Sequence, residues 1–155
     1  MGRVYKTIRL AYETKIWIDE LIKKRTIELQ ENMRNMNLQT QLEERIFEIH
    51  KELLDGVSIN VTLNVTSGSI IEQAVRGTRE FTIEQWKKTA VELESAVKNI
   101  KQMDVSEFTP RIYISQDILN ELEVLQIKLK EDGERIPRLS YIIKLVIYGY
   151  KKSDA

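Results

Sequence analysis

The stretch that decides the fold of this chain is Thr109 to Lys152, TPRIYISQDILNELEVLQIKLKEDGERIPRLSYIIKLVIYGYKK. It opens with a short segment in which Ile112 and Ile114 alternate with polar residues, and this period of two predicts a strand with one buried side. Pro110 lacks a backbone donor and marks the start of that strand. A lone strand of this length is unstable, so a second strand must pair with it.

Two helices are predicted behind the strand. Apolar residues at helical spacing run from about Gln116 to Glu131, and Asp132 with Gly133 ends this segment. Pro137 stands at the head of the next helix, where its missing N–H costs nothing. Because this last helix is apolar on most sides, it must be surrounded by other protein, which implies pairing with a second unit.

A fainter copy of this plan opens the chain. In residues 4 to 11, VYKTIRLA, Ile8 and Leu10 alternate with their neighbours and predict a short strand. The opposite face of that strand carries Thr7, Arg9 and Ala11.

The middle of the chain is predicted to be helical up to one extended segment. Residues 13 to 55 contain neither Gly nor Pro, and their apolar residues recur near helical spacing. The Asn-rich patch ENMRNMNLQ at residues 31 to 39 is the natural place for a break, and Gly56 supplies a stop. Residues 57 to 66, VSINVTLNVT, show the cleanest alternation in the chain and predict an extended strand.

Two more helices are expected before the last unit. The segment SGSIIEQAV starts a short helix that Thr66, Ser67 or Ser69 can cap. From Thr82 to about Met103 the apolar residues are spaced 3, 4, 3, 4, 3, a heptad seam that predicts pairing with another helix, within the chain or between chains. Residues 104 to 110 form a linker.

Composition excludes several classes of protein. The chain has 155 residues, formally zero net charge and no cysteine, which rules out disulfides and thiolate chemistry and fits a reducing cytoplasm. No metal site or catalytic triad can be assembled around the single histidine, His50, so we expect no cofactor and no enzyme activity. The first residues lack the apolar core of a signal peptide, and residues 141 to 150 are too short to span a membrane.

The order strand, helix, helix in about 45 residues resembles the ribbon-helix-helix family of DNA-binding proteins, the Arc and MetJ type. The resemblance implies a mainly α fold with short β-strands, built from tandem ribbon-helix-helix units with a helical, coiled-coil-like insertion. It places units at 1–81, with an insertion at about 31–65, and at 105–155, with the heptad helix at 82–104 between them. In that family two strands form an antiparallel ribbon that enters the major groove, and the start of each second helix binds a phosphate.

The resemblance also assigns residues. Mapping Ile8 and Leu10 on Ile112 and Ile114, and Ser69 on Ser140, gives two sets. The residues implied to read bases are Thr7, Arg9, Ala11, Arg111, Tyr113 and Ser115. Those implied to bind phosphates are Lys6, Ser67, Ser69, Arg138 and Ser140.

Alternatives stay open at this point. A rival phasing takes VTLNVT as the first strand, with Thr62 and Asn64 outward, and leaves the opening strand without a role. Arginine on a strand face is also common as a merely solvated side chain. The two units can pair within one chain or with copies in another, so a homo-oligomer is expected unless they pair internally.

The function implied is sequence-specific binding of double-stranded DNA, as a transcriptional repressor or an accessory protein of mobile DNA in partition or conjugation. The location expected is the cytoplasm, at the nucleoid when bound to DNA, with no membrane partner. The alternative is a protein-interaction adaptor, antitoxin-like, that acts through its helical middle.

Overall fold

The computed structural model describes residues 2–100 and 108–154 of the chain. Within these residues the fold is mainly helical, with six helices and one two-stranded antiparallel sheet. The elements are β1 (Arg3–Thr7), α1 (Tyr12–Met36), α2 (Leu38–Ile49), α3 (Ser67–Gly77), α4 (Ile83–Asn99), β2 (Arg111–Ser115), α5 (Gln116–Lys128) and α6 (Leu139–Ser153).

The chain divides into two compact units. The first consists of Met1–Leu21 and Thr66–Ala155, and the second is Ile22–Val65. The division falls inside α1, whereas the sequence placed the start of the insertion at about residue 31. The helix α1 runs without a break through the first part of the Asn-rich patch to Met36, and Asn37, which has a left-handed backbone with φ 50°, separates it from α2.

The two strands of the sheet come from opposite ends of the chain. β1 pairs antiparallel with β2, with Tyr5 opposite Tyr113 and Thr7 opposite Arg111. Pairing continues past β1, because Leu10 forms an isolated bridge with Phe108 through a 2.7 Å hydrogen bond. The ribbon of this structure is therefore formed within one chain.

The core of the first unit lies under one side of the ribbon. Ile112 and Ile114 of β2 are fully buried there, and they lie over helices α3 and α5. The apolar helix α6 packs against α3, α4 and α5, as its sequence required. The largest fully buried side chains of the helices are Ile18, Ile70, Ile71, Leu93, Leu122, Ile142, Ile143, Leu145 and Ile147.

The heptad helix finds its partner inside the chain. In α4 the seam residues Trp86 and Leu93 are buried, and the helix packs on α6. A capping box at Thr82 and Gln85 fixes its start, since each side chain accepts a hydrogen bond from the backbone N–H of the other. Its predicted end near Met103, and most of the linker at 104 to 110, lie outside the described residues.

The structure corrects two of the predicted strands. The first strand was placed at residues 4 to 11, but β1 ends at Thr7. The predicted strand at 57 to 66 belongs to no sheet, because no second strand lies beside it in the described chain. Alternation identifies backbone that can form a strand, but a ladder also requires a neighbour.

In the second unit, α2 follows α1 directly and an irregular segment leads on to α3. None of residues 22–65 is classed as buried. Among all the helices that the structure describes, none is long and apolar enough to cross a membrane.

Candidate nucleic-acid interface

The register of the ribbon sorts its side chains onto two faces. Directly opposite residues of an antiparallel pair share a face, and successive residues of one strand alternate between the faces. The inner face carries Val4, Lys6, Ile112 and Ile114. The outer face carries Arg3, Tyr5, Thr7, Arg111, Tyr113 and Ser115.

Two tyrosines form the centre of the outer face. The rings of Tyr5 and Tyr113 lie 4.7 Å apart between centroids and are tilted by 34°. Both side chains are largely exposed, Tyr5 by 59% and Tyr113 by 47%. An exposed aromatic pair on a two-stranded ribbon contributes little to the core, so it is available to contact a partner.

Each tyrosine is covered by an arginine of the other strand. The guanidinium carbon of Arg111 lies 4.1 Å from the ring centroid of Tyr5, and that of Arg3 lies 5.7 Å from the ring of Tyr113. Stacking fixes the plane of a guanidinium group and leaves the N–H groups at its edge able to donate. Arg111 makes no hydrogen bond or ion pair with another described residue, so its donors face solvent.

Arg3 has a second partner. It forms a two-point ion pair with the buried carboxylate of Glu72 in α3, at 3.0 and 3.1 Å. The same carboxylate accepts a 2.7 Å hydrogen bond from the backbone N–H of Ser115, at the end of β2. Glu72 therefore ties α3 to both strands of the ribbon, and Arg3 is less available to a ligand than Arg111.

The start of α3 lies directly against β2. A Cβ atom placed on Gly68 would stand 2.2 Å from the backbone oxygen of Tyr113, so only glycine fits this position. Thr66 and Ser69 form a reciprocal capping box, in which the Ser69 N–H donates to Thr66 Oγ1 at 3.1 Å. The N–H groups of Ser67 and Gly68 have no acceptor in the described structure, and because Gly68 is buried, the half-buried Ser67 is the more accessible of the two to an anion.

The start of α6 is more open. Its N-cap residue, Arg138, is exposed and its side chain caps no backbone N–H. The first backbone donors of the helix, those of Leu139 and Ser140, find no acceptor among the residues described. Nearby, burial raises the pKa of the Tyr141 phenol, and Glu94 adds to the increase. Tyr141 is therefore a neutral hydrogen-bond donor near neutral pH, beside a helix start that favours anions.

Four of the six residues expected to read bases lie together on the outer face: Thr7, Arg111, Tyr113 and Ser115. Arg9 and Ala11 lie past the last residue of β1, where the two chain segments stay in register only through the bridge of Leu10 with Phe108. Of the residues expected to bind phosphates, Ser67 and Ser69 lie in the first turn of α3, and Arg138 and Ser140 at the start of α6. Lys6 is exposed but lies opposite Ile112, on the face away from Tyr5.

Sequence reasoning missed Arg3 and Tyr5, although the chain carries a signal for them. The segments RVYKT of β1 and RIYIS of β2 share arginine, a β-branched residue, tyrosine and a hydroxyl residue at the same positions. This match places Val4 on Ile112, whereas the expectation placed Ile8 there. In the structure Ile8 follows the last residue of β1, and its N–H donates to the Pro110 carbonyl at 3.3 Å.

The second helices show a similar match with a shift of one residue. Aligned from their first residues, Ser67 with Leu139, helices α3 and α6 share Ile70–Ile71 with Ile142–Ile143 and Gly77 with Gly149. This alignment places Gly68, not Ser69, on Ser140. The two halves differ at one equivalent position, because Glu72 binds the ribbon whereas Lys144 forms an ion pair with Glu13 of α1 at 3.2 Å.

No group of three or more side chains suited to hold a metal ion occurs within residues 2–100 and 108–154. Comparison of the chain with models of protein families, with curated proteins and with solved structures found no match to any of them.

Proposed function

We propose that this chain is a sequence-specific double-stranded DNA-binding protein that inserts the β1–β2 ribbon into the major groove. In this proposal the chain contains two ribbon-helix-helix units, one formed by β1, α1 and α3 and the other by β2, α5 and α6. The segment between α1 and α3 is an insertion in the first unit. One chain then supplies both strands of the ribbon that contacts the bases.

The observation that carries the proposal is the outer face of the ribbon. The major groove admits a two-stranded ribbon, and a stacked arginine is well suited to donate two hydrogen bonds to guanine. Arg111 offers that arrangement next to an exposed aromatic pair. Thr7 and Ser115 flank it with hydroxyl groups that can donate to or accept from base edges.

The starts of two helices offer the phosphate contacts that the proposal requires. The open N–H groups lie at the start of α3, which packs against β2, and at the start of α6, which packs against α3, and such groups bind phosphate oxygens. Arg138 adds a positive charge at the second of these positions. Contacts of this kind fix the position of a protein on the duplex without reading its sequence.

The zero net charge of the chain bears on the source of its affinity for DNA. Nonspecific affinity for DNA comes from neutralising phosphates, and a chain without a basic excess gains little of it. Base contacts must therefore contribute a large share of the binding free energy. A repressor, or an accessory protein of mobile DNA in partition or conjugation, fits such a protein. A second candidate is a protein-interaction adaptor, which the exposed apolar residues of Ile22–Val65 favour.

The proposal is tested by selecting binding sites from random duplexes at near-physiological salt. For the chain as given we expect an enriched motif. The variant Thr7→Ala/Arg111→Ala removes donors from the outer face, and we expect it to lose preference at one or two base positions, each by about 1 to 3 kcal/mol of discrimination. Competition binding on matched and mismatched duplexes measures this loss.

Lys6→Ala provides the matched control, because it removes a cation from the same ribbon but from the inner face. We expect it to keep the selected motif and to weaken binding to all sequences alike, with the salt dependence reduced by about one phosphate contact at most. Selection of no motif by the unaltered chain would refute sequence-specific reading. A motif that survives in the outer-face variant would refute the assignment of the ribbon.

A further inference from the structure

The second unit, Ile22–Val65, has an unusual balance of surfaces. Its helices are well formed, yet it contains no buried residue, and several large apolar side chains face solvent. Leu53 is 78% exposed and Ile49 is 64% exposed. Because folding is driven by the removal of apolar surface from water, a segment that buries so little is stabilised when a partner covers it.

The segment from Ser58 to Thr66 shows what form that partner takes. Along it, exposed and half-buried residues alternate at every position, with Ile59, Val61 and Leu63 on the half-buried side. A period of two is the burial pattern of an extended strand that lies on a surface. The segment therefore has the burial pattern of a strand but no paired neighbour.

One edge of this strand is already occupied. The N–H of Val61 donates to Glu43 Oε1 at 3.1 Å, and its C=O accepts from Gln39 Nε2 at 3.0 Å, so both backbone groups of Val61 face α2. In extended backbone the N–H and C=O of the next residues point to the opposite edge. That edge presents the backbone groups of Ser58, Asn60, Thr62 and Asn64, which have no hydrogen-bond partner in the part of the chain described.

Nothing in the sequence protects this edge from another strand. Proteins usually blunt an unpaired edge with charged residues or proline. Residues 56 to 71 contain neither, in a chain that is 31% charged. A copy of the same segment would therefore meet no charge repulsion, and its polar face of serine, asparagine and threonine matches its own.

We propose that residues 58–64 pair antiparallel with the same residues of a second copy of this chain, about a twofold axis at Val61. This register places Ser58 opposite Asn64 and Asn60 opposite Thr62, so every unpaired backbone group of the open edge gains a partner. A register centred on Thr62 would need the N–H of Thr66, which already donates to Ser69 Oγ at 2.9 Å. The pairing is isologous and closes as a dimer.

The dimer does not depend on DNA binding, and the mass of the protein in solution tests it. We expect about twice the chain mass for the unaltered chain and for Thr62→Ala, which keeps the backbone N–H. Thr62→Pro removes that donor from the open edge and should give the mass of one chain. Circular dichroism checks that each variant keeps its helices, which we expect because Thr62 is exposed.

Disulfide cross-linking tests the register. Because the chain contains no native cysteine, only the introduced cysteine can form the cross-link. In the proposed pair the two Val61 residues face each other without mutual hydrogen bonds, at about 4.5 Å between Cα atoms, which suits a disulfide. We expect Val61→Cys to oxidise to a covalent dimer. Leu63→Cys is the matched control, since its copies would lie about 13 Å apart along the strands and should not cross-link.

Either of two results overturns the proposal. One is the mass of a single chain for the unaltered protein at micromolar concentrations, and the other is a dimer that persists in Thr62→Pro. Faster cross-linking of Leu63→Cys than of Val61→Cys would overturn the register. Because none of these measurements contains DNA, their failure is separable from failure of the DNA-binding proposal.

Discussion

At the scale of single residues, Glu72 is the side chain on which the ribbon most depends. Its buried carboxylate holds the Arg3 guanidinium and the Ser115 N–H, which belong to different strands. The exposed half of Arg3 limits what the ion pair contributes, because solvent screens it. The Ser115 donor is the stronger reason for a buried acceptor at this position.

Replacing Glu72 should therefore destabilise the chain in a graded manner. We expect Glu72→Ala to lower the free energy of unfolding by about 1 to 3 kcal/mol, because it leaves the Ser115 N–H without an acceptor. Glu72→Gln keeps an acceptor oxygen and should cost less. Urea denaturation followed by circular dichroism measures both.

Glu123→Ala is the control for that series. Glu123 is exposed on α5 and makes no ion pair with the other described residues, so its loss should change the stability by no more than about 0.5 kcal/mol. Equal effects of the Glu72 and Glu123 substitutions would contradict the role given to Glu72.

Gly68 is the second residue that the ribbon requires. Alanine normally favours a helix over glycine by about 1 kcal/mol. Here its Cβ would stand 2.2 Å from the backbone oxygen of Tyr113, so α3 or β2 must move. We expect Gly68→Ala to lower the thermal midpoint, with a net loss of about 1 to 3 kcal/mol.

Gly2→Ala provides the comparison, because a Cβ at Gly2 would meet no atom within 4 Å. Its midpoint should stay close to that of the unaltered chain. A Gly68→Ala variant that is as stable as the unaltered chain would show that the contact between α3 and β2 is looser than the structure has it.

At the scale of elements, most of the helices and the strand β2 were predicted close to their observed positions, whereas the extent of β1 was not. Spacing of apolar residues identified α4, α5 and α6 to within a few residues, because a helix satisfies its own hydrogen bonds and leaves its pattern in a local stretch. The break between α1 and α2 was also expected in the Asn-rich patch, where Asn37 adopts a left-handed backbone.

The first strand could not be bounded by periodicity alone. Residues 4 to 11 were predicted as one strand, and Leu10 is buried as the pattern predicts, but the continuous ladder ends at Thr7 and only the bridge of Leu10 with Phe108 follows it. Which part of an alternating segment pairs is decided by the position of the partner strand, which the periodicity of the segment itself does not contain. The pattern of residues 57 to 66 failed for the same reason.

Residues of the candidate site were predicted where the strand that carries them was predicted. Arg111, Tyr113 and Ser115 were predicted correctly as one face, because both ends of β2 carry clear signals in Pro110 and in the helix that follows. Arg3 and Tyr5 were missed because the first strand was aligned through its apolar residues. Comparing RVYKT with RIYIS would have found them, since the outer residues match better than the inner ones.

At the scale of the whole molecule, the pairing of β1 with β2 means that a dimer is not needed to form the ribbon. The ribbon-helix-helix resemblance implied a partner chain if the two units did not pair with each other. Because the strands pair within one chain, each chain has a complete ribbon. A dimer formed through residues 58–64 would instead join two complete ribbons, and so two DNA half-sites.

This division of labour predicts different behaviour on single and paired half-sites, provided that both proposals hold. Thr62→Pro should bind a duplex with one half-site as tightly as the unaltered chain does, because its ribbon is intact. On a duplex with two suitably spaced half-sites, the unaltered chain should bind at least about 100-fold more tightly than the variant. Once one ribbon of the dimer is bound, binding of the second ribbon becomes intramolecular. Titration of both duplexes in mobility-shift experiments, with Thr62→Ala as the control, measures the two affinities. Loss of single-site binding in Thr62→Pro would mean that the ribbon needs a second chain. Equal affinity of both proteins for the paired duplex would mean that the dimer does not span two sites.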